Sequence, residues 1–206
     1  MQQSSYQDKL AEQMQKICQM RILATQGRDP STHDDTFNFI LELLKKDQPK
    51  RILELGTAYG LTSIAMLLNC PNATLTTIEL DEQRYIAANE NFKSFGVENR
   101  VRSIYADAIE VLPHLTPYFD FIFLDSAKSQ YLNYLPYLKY LLKPKGILLA
   151  DDILLFGWVN GRVEVPPKRR SLVVKIQNYL TALQADKELD TQILEIGEGI
   201  ALSIKK

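Results

Sequence analysis

The feature that most constrains this chain is an alternation of short apolar runs and helical stretches, repeated five times, with acidic residues closing most of the runs. The first run, Ile52, Leu53 and Leu55, ends in a bend flanked by Gly56 and Gly60; Thr57 or Thr62 can cap the helix that follows over 61–68. A β-rich run at 74–78 ends at Glu79, and a helix over 81–95 is closed by Gly96. Then come a strand at 101–105, a helix over 107–115, and a strongly β segment at 119–124 that ends at Asp125. A helix over 130–142, a turn at 143–146 and a strand at 147–150 complete the series at Asp151 and Asp152. Strands that alternate with helices through short turns form a parallel sheet covered on both faces. Beyond a loop at 153–168 and a helix over 169–185, the runs 188–196 and 200–204 are joined tightly at Gly197 and Gly199. Strands joined that closely must pair antiparallel.

Two further helices precede the sheet. One spans 6–26, with Leu10, Met14, Ile17, Ile22 and Leu23 near helical spacing; the other spans 34–46, with Phe37, Ile40, Leu41 and Leu44 on one face. Gly27 and Pro30 break the first, and Ser31 or Thr32 can cap the second. The expected organisation is a single domain over 1–206, with helices in 1–48 and the α/β core in 49–206. The first helix is not needed to complete the sheet. With 206 residues, 46% of them hydrophobic, the chain can build a real core. No uninterrupted apolar run is long enough to span a membrane, and the start of the chain is polar. A cytoplasmic, soluble protein is expected, with Cys18 and Cys70 as buried free thiols. The net charge of −1 argues against general polyanion binding, so any nucleic-acid contact would have to come from a local patch.

The chemistry is written in a register. Glu79, Asp107, Asp125, Asp151 and Asp152 all fall at or just past the carboxyl ends of expected strands. In a parallel sheet these ends share one edge, where open α/β folds bind nucleotide-like ligands. A cluster of one sign raises its own pKa values unless hydroxyls or a cation relieve it. Glu79, about 20 residues after the glycine turn, suits the hydroxyls of a ribose; its plainer role is an acid favoured at a helix start. Asp125, Asp151 and Asp152 are hard oxygen donors without His or Cys nearby, which suits Mg²⁺ or Ca²⁺, although each alone also fits a turn or an N-cap. Lys128, at a helix start where the macrodipole disfavours a cation, can hold an alkoxide or accept a proton, or be an ordinary solvated lysine.

The segments Glu54-Leu-Gly-Thr-Ala-Tyr-Gly60, Glu79-Leu-Asp81, Asp107-Ala108, Leu124-Asp-Ser-Ala-Lys128 and Ala150-Asp-Asp152 resemble class I S-adenosylmethionine-dependent O-methyltransferases. The resemblance is to the metal-dependent group that includes catechol and caffeoyl-CoA O-methyltransferases, and it covers residues from about 30 to 206. It implies a Rossmann-like α/β fold with a seven-stranded sheet in the order 3-2-1-4-5-7-6, the last strand antiparallel, helices on both faces and extra N-terminal helices. It implies that Thr32, Glu54, Gly56, Thr62, Glu79, Asp107, Ala108 and Asp125 line the S-adenosylmethionine site. Asp125, Asp151 and Asp152 would hold Mg²⁺ or Mn²⁺, and Lys128 would be the base. The group often has Asn where Asp152 stands, and the stretch 28–33 is unusual for it. A homodimer is expected on the same ground.

In-line methyl transfer needs an ionised hydroxyl close to the methyl carbon, and chelation by two adjacent oxygens both acidifies and aims it. A catechol or a hydroxycinnamoyl-type phenol qualifies, and so does 5-hydroxyuridine. The loop and helix start at 156–170 carry Trp158 beside Phe156, and Arg162, Lys168, Arg169 and Arg170 against Glu164. Rings that stack and cations that follow phosphates suit RNA, while a solvated helix start with Trp158 on the sheet edge is the plain alternative. The stretch Pro166-Pro-Lys-Arg-Arg170 resembles bacterial members that methylate 5-hydroxyuridine to 5-methoxyuridine at the tRNA wobble position. The expected acceptor is therefore tRNA, with a small phenol as the alternative. A non-catalytic cofactor- or RNA-binding module is disfavoured because Lys128 and all three aspartates are present.

Overall fold

The computed structural model describes residues 2–26 and 32–206. Its strands are β1 (Arg51–Leu55), β2 (Thr74–Glu79), β3 (Val101–Tyr105), β4 (Phe119–Leu124), β5 (Leu142–Ala150), β6 (Leu189–Leu194) and β7 (Ile200–Lys205). They form one seven-stranded sheet in the order β3-β2-β1-β4-β5-β7-β6. Neighbours from β3 to β5 pair parallel, and β7 runs antiparallel to both β5 and β6. The Rossmann-like order expected from the sequence is thus the observed one.

The sheet is buried on both faces because consecutive apolar residues point to opposite sides. Leu53, Leu55, Ile122, Leu124 and Leu148 join one core, with α6 (Tyr131–Leu141) and α7 (Arg170–Ala185). Ile52, Phe121, Phe123 and Leu149 join the other, beneath α1 (Gln2–Gln26), α2 (Asp34–Asp47), α3 (Leu61–Asn69) and α4 (Glu82–Ser94). Helix α1 belongs to that layer: Ile17 is fully buried there, with Leu10 and Met14 against it. Ile22 and Leu23, expected on the same face, are exposed instead.

Several local expectations change. Helix α3 is capped by Gly60 in the left-handed conformation rather than by a threonine, and Thr57 turns inward to Thr77, 2.5 Å away. His33, not Thr32, caps α2, while Ser31 lies outside the described residues. Of the helix expected over 107–115, only Ala108–Val111 (α5) is α-helical, followed by a 3-10 turn at Leu112–His114. A 3-10 turn, Lys128–Gln130, also precedes α6. The expected turn at 143–146 is absorbed into β5 as an irregularity, where pairing jumps from Phe119↔Leu142 to Phe121↔Ile147. Cys70 is buried as expected, but Cys18 is exposed. Among the described residues no helix is long and apolar enough to cross a membrane.

Candidate active site

A cavity of about 510 Å³ opens at the carboxyl edge of β1, β2 and β4. Thr32, Glu54, Gly56, Thr62, Glu79, Asp107, Ala108 and Asp125, the residues assigned to cofactor binding, all line it. Its floor is the turn after β1. Gly56 has φ +95°, and a Cβ there would lie 2.0 Å from the Asp125 carbonyl oxygen, so neither the conformation nor the space admits another residue. Glu79 is held from behind. Its Oε2 accepts from Ala58 N (2.8 Å) and its Oε1 from Leu80 N and Asp81 N (2.9 Å each), which orients the carboxylate on the cavity wall. Asp107 accepts from Ile109 N at the start of α5, so its plain capping role is real as well.

Glu54 lies beneath this floor, 1% exposed, and accepts from the hydroxyls of Ser63 and Thr77. Burial pushes its pKa to about 8; the two hydroxyls oppose the rise, and the nearby charges of Asp125 and Glu79 add to it. Ser63 and Thr77 escaped sequence reading because they meet Glu54 only through packing of α3 and β2 on β1.

Asp125, on the cavity wall, faces two ways. Its Oδ2 is within 3.5 Å of Thr32 Oγ1, which also meets Thr62 Oγ1 at 3.2 Å. Its Oδ1 pairs with Lys128 Nζ at 2.7 Å, and the same ammonium pairs with Asp152 Oδ2 at 2.9 Å. Burial works against the charge on Lys128, but Tyr131, Asp125 and Asp152 outweigh it, and its pKa stands well above the ordinary lysine value. Asp151 is fully buried and does not line the cavity. Its Oδ1 accepts from Thr36 Oγ1 (3.2 Å) and Asp152 N (2.8 Å), whereas its Oδ2 has no partner among the described residues. Burial and the charges of Asp125 and Asp152 push its pKa to about 8. Asp152 takes φ +56°, a conformation uncommon outside glycine, which turns its side chain back toward Lys128. Tyr131, between the ends of β4 and β5, reaches Leu124 O (3.1 Å) and Asp151 O (3.3 Å) with its hydroxyl.

No group of three His, Cys, Asp or Glu side chains forms a ready metal cage among the described residues. The donor set nonetheless suits a hard cation. A buried carboxylate oxygen without a partner is costly, and two neighbouring carboxylates share one ammonium in place of a second positive charge.

The rim beyond β5 is more divided than the sequence suggests. Phe156 and Trp158 stack edge to face with centroids 5.2 Å apart, and Phe156 is exposed. Arg162 pairs with Glu195 at 2.5 Å across an exposed site, which sets a negative charge beside that cation. Lys168, Arg169 and Arg170 are exposed at the start of α7.

A family model described as O-methyltransferase matches residues 1–206. The caffeoyl-CoA O-methyltransferase of Populus kitakamiensis is 32% identical over 177 residues, which cover 82% of this chain and 75% of that protein. The catechol O-methyltransferase of Niastella koreensis is 31% identical over 178 residues, 82% of this chain and 79% of that one. A crystal structure from Staphylococcus aureus, provisionally assigned as a caffeoyl-CoA O-methyltransferase, superposes with a TM-score of 0.86 at 32% identity and covers 92% of each chain.

Proposed function

The chain belongs to the O-methyltransferase family and is an S-adenosylmethionine-dependent enzyme, and we propose that it methylates a small phenol with vicinal oxygens, of the catechol or hydroxycinnamoyl type. The observation that carries the need for vicinal oxygens is the buried Asp151 Oδ2, without a partner among the described residues, beside Asp125 and Asp152; the choice of a phenol rests on the relatives. Carboxylates so placed would hold Mg²⁺ or Mn²⁺, and an acceptor with two adjacent oxygens is the one such a site selects.

S-adenosylmethionine supplies an electrophilic methyl, and a bound divalent cation supplies Lewis acidity that lowers the pKa of an acceptor hydroxyl. The protein's own residues set direction and proton inventory. Glu79, fixed by three backbone N–H groups, offers its outer lone pairs to ribose hydroxyls. The Gly56 turn lies against the backbone of Asp125 and Ser126 at the end of β4, so a donor bound over it would sit close to the carboxylates proposed for the acceptor side. Lys128 is positioned to hold negative charge on the acceptor oxygen. It can take a proton only when its pairing with Asp125 and Asp152 is released, because that pairing holds its own proton.

A second reading keeps one specific observation. Lys168, Arg169 and Arg170 are exposed without an ion pair among the described residues, and the Phe156 and Trp158 rings pack on each other earlier in the same loop; this supports 5-hydroxyuridine in tRNA as acceptor. The pairing of Arg162 with Glu195 sets a carboxylate against one cation of that surface, and the curated relatives named above act, by name, on catechol and caffeoyl-CoA. Both weigh toward the phenol. The test is transfer of labelled methyl from S-adenosylmethionine to a catechol, a matched monophenol and tRNA carrying 5-hydroxyuridine. Labelled catechol with little label in the monophenol is expected; labelled tRNA with inert catechol would reverse the order of the readings.

A further inference from the structure

We infer that Arg21 is a positioning residue for the methyl-donor cavity and that helix α1 is thereby a working part of the site; the inference rests on reading that cavity as the S-adenosylmethionine site. The Arg21 side chain is only 5% exposed. Its Nη2 donates to the backbone oxygen of Thr32 (2.7 Å) and to Asp34 Oδ1 (2.6 Å), and its guanidinium carbon lies 3.9 Å from the centre of the Phe37 ring. The Asp34 arm is weak in energy, because that side chain is 84% exposed and water competes for it. The buried arms, to the Thr32 carbonyl and the Phe37 face, carry the effect, since a planar guanidinium holds both partners in one geometry.

What Arg21 holds is a residue of the site. Thr32 is 8% exposed, lines the cavity, and brings its hydroxyl to Thr62 and Asp125. Ala24, three residues after Arg21 on α1, lines the same cavity directly. Two separate contacts therefore join α1 to the cavity, one through a wall atom and one through the carbonyl of Thr32. Loss of the guanidinium leaves Thr32 sampling other positions, and the fraction of molecules ready to bind the donor falls, with apparent affinity falling in proportion.

The experiment uses the full-length protein, calorimetric titration with S-adenosylhomocysteine, thermal melting, and steady-state kinetics. Arg21→Ala is expected to raise Kd and the KM for the donor about tenfold while kcat at saturating donor stays within about twofold. Arg21→Lys, which keeps the charge without the fork, should recover part of the affinity. Ala24→Leu should weaken the donor with no fall in Tm. A lowered Tm with unchanged Kd in Arg21→Ala would show a purely structural arginine and overturn the inference. Should Arg21→Ala not fold, unchanged Kd in both Arg21→Lys and Ala24→Leu overturns it. Glu79→Ala separates the two levels of the claim. If it loses affinity while the Arg21 and Ala24 variants do not, only the role of α1 fails; if the wild type does not bind, or Glu79→Ala binds as tightly, the reading of the cavity fails and takes the inference with it.

Discussion

The two halves of this site, which we propose take the donor and the acceptor, are built from the same material, carboxylates at strand ends, and treat it in opposite ways. On the donor side Glu79 has three backbone N–H partners and Asp107 has one. These backbone partners hold both carboxylates in place before any ligand arrives. On the acceptor side Asp125 and Asp152 share a single ammonium, and one oxygen of Asp151 is buried with no partner among the described residues. The difference teaches how one sheet edge can serve two ligands. Backbone amides preorganise a site for a neutral hydroxyl, whereas crowded, desolvated charge is a site that gains most from a cation.

The contrast can be broken first at Lys128. If it holds or moves the acceptor's charge, Lys128→Met should lose about 10²- to 10⁴-fold in kcat. S-adenosylhomocysteine affinity, read by calorimetry, should fall far less than kcat, because the backbone N–H groups that hold Glu79 do not depend on Lys128. The mirror experiment is Glu79→Ala, which should weaken the donor about tenfold and spare kcat at saturating donor, measured in the same assays. A variant that moved both parameters in both halves would dissolve the distinction.

A smaller effect concerns pH. Glu54 has its folded-state pKa at about 8 against an ordinary 4.5, chiefly through burial. The folded protein keeps a proton that the unfolded chain releases, so this residue's contribution to stability declines as pH rises from about 4.5 to about 8. Melting curves across that window should show the decline in the wild type and a flatter profile in Glu54→Gln. The smallest effect is expected at the rim. Reversing the charges of Lys168, Arg169 and Arg170 should change catechol turnover by no more than about twofold, since exposed charges act weakly on a neutral ligand. A large loss confined to tRNA would restore the RNA reading.

The strand order was legible in the sequence, and so was the set of strand-end residues that share one cavity; the reason is local. A buried parallel strand is an apolar run, its carboxyl end is the residue where the run stops, and topology then brings Gly56, Glu79, Asp107 and Asp125 to one edge. What was not legible depends on which distant segments pack together. The pairing of Lys128 with Asp152 crosses from β4 to β5, Thr36 reaches Asp151 from α2, and Glu195 takes Arg162 from beyond the end of β6. No spacing announces such contacts. Arg21 was hidden for the same reason: in the sequence it is one charge on an amphipathic helix, and only the fold turns it inward onto Thr32 and Phe37.

The cation that the acceptor half is built to receive is the central claim, and titration of Mg²⁺ into enzyme stripped with EDTA, followed by catechol methylation, tests it most directly. Activity should be absent in EDTA, return with added Mg²⁺, and fail to return in Asp151→Asn at the same concentrations. Undiminished methylation in EDTA, or full rescue of Asp151→Asn, would contradict the claim.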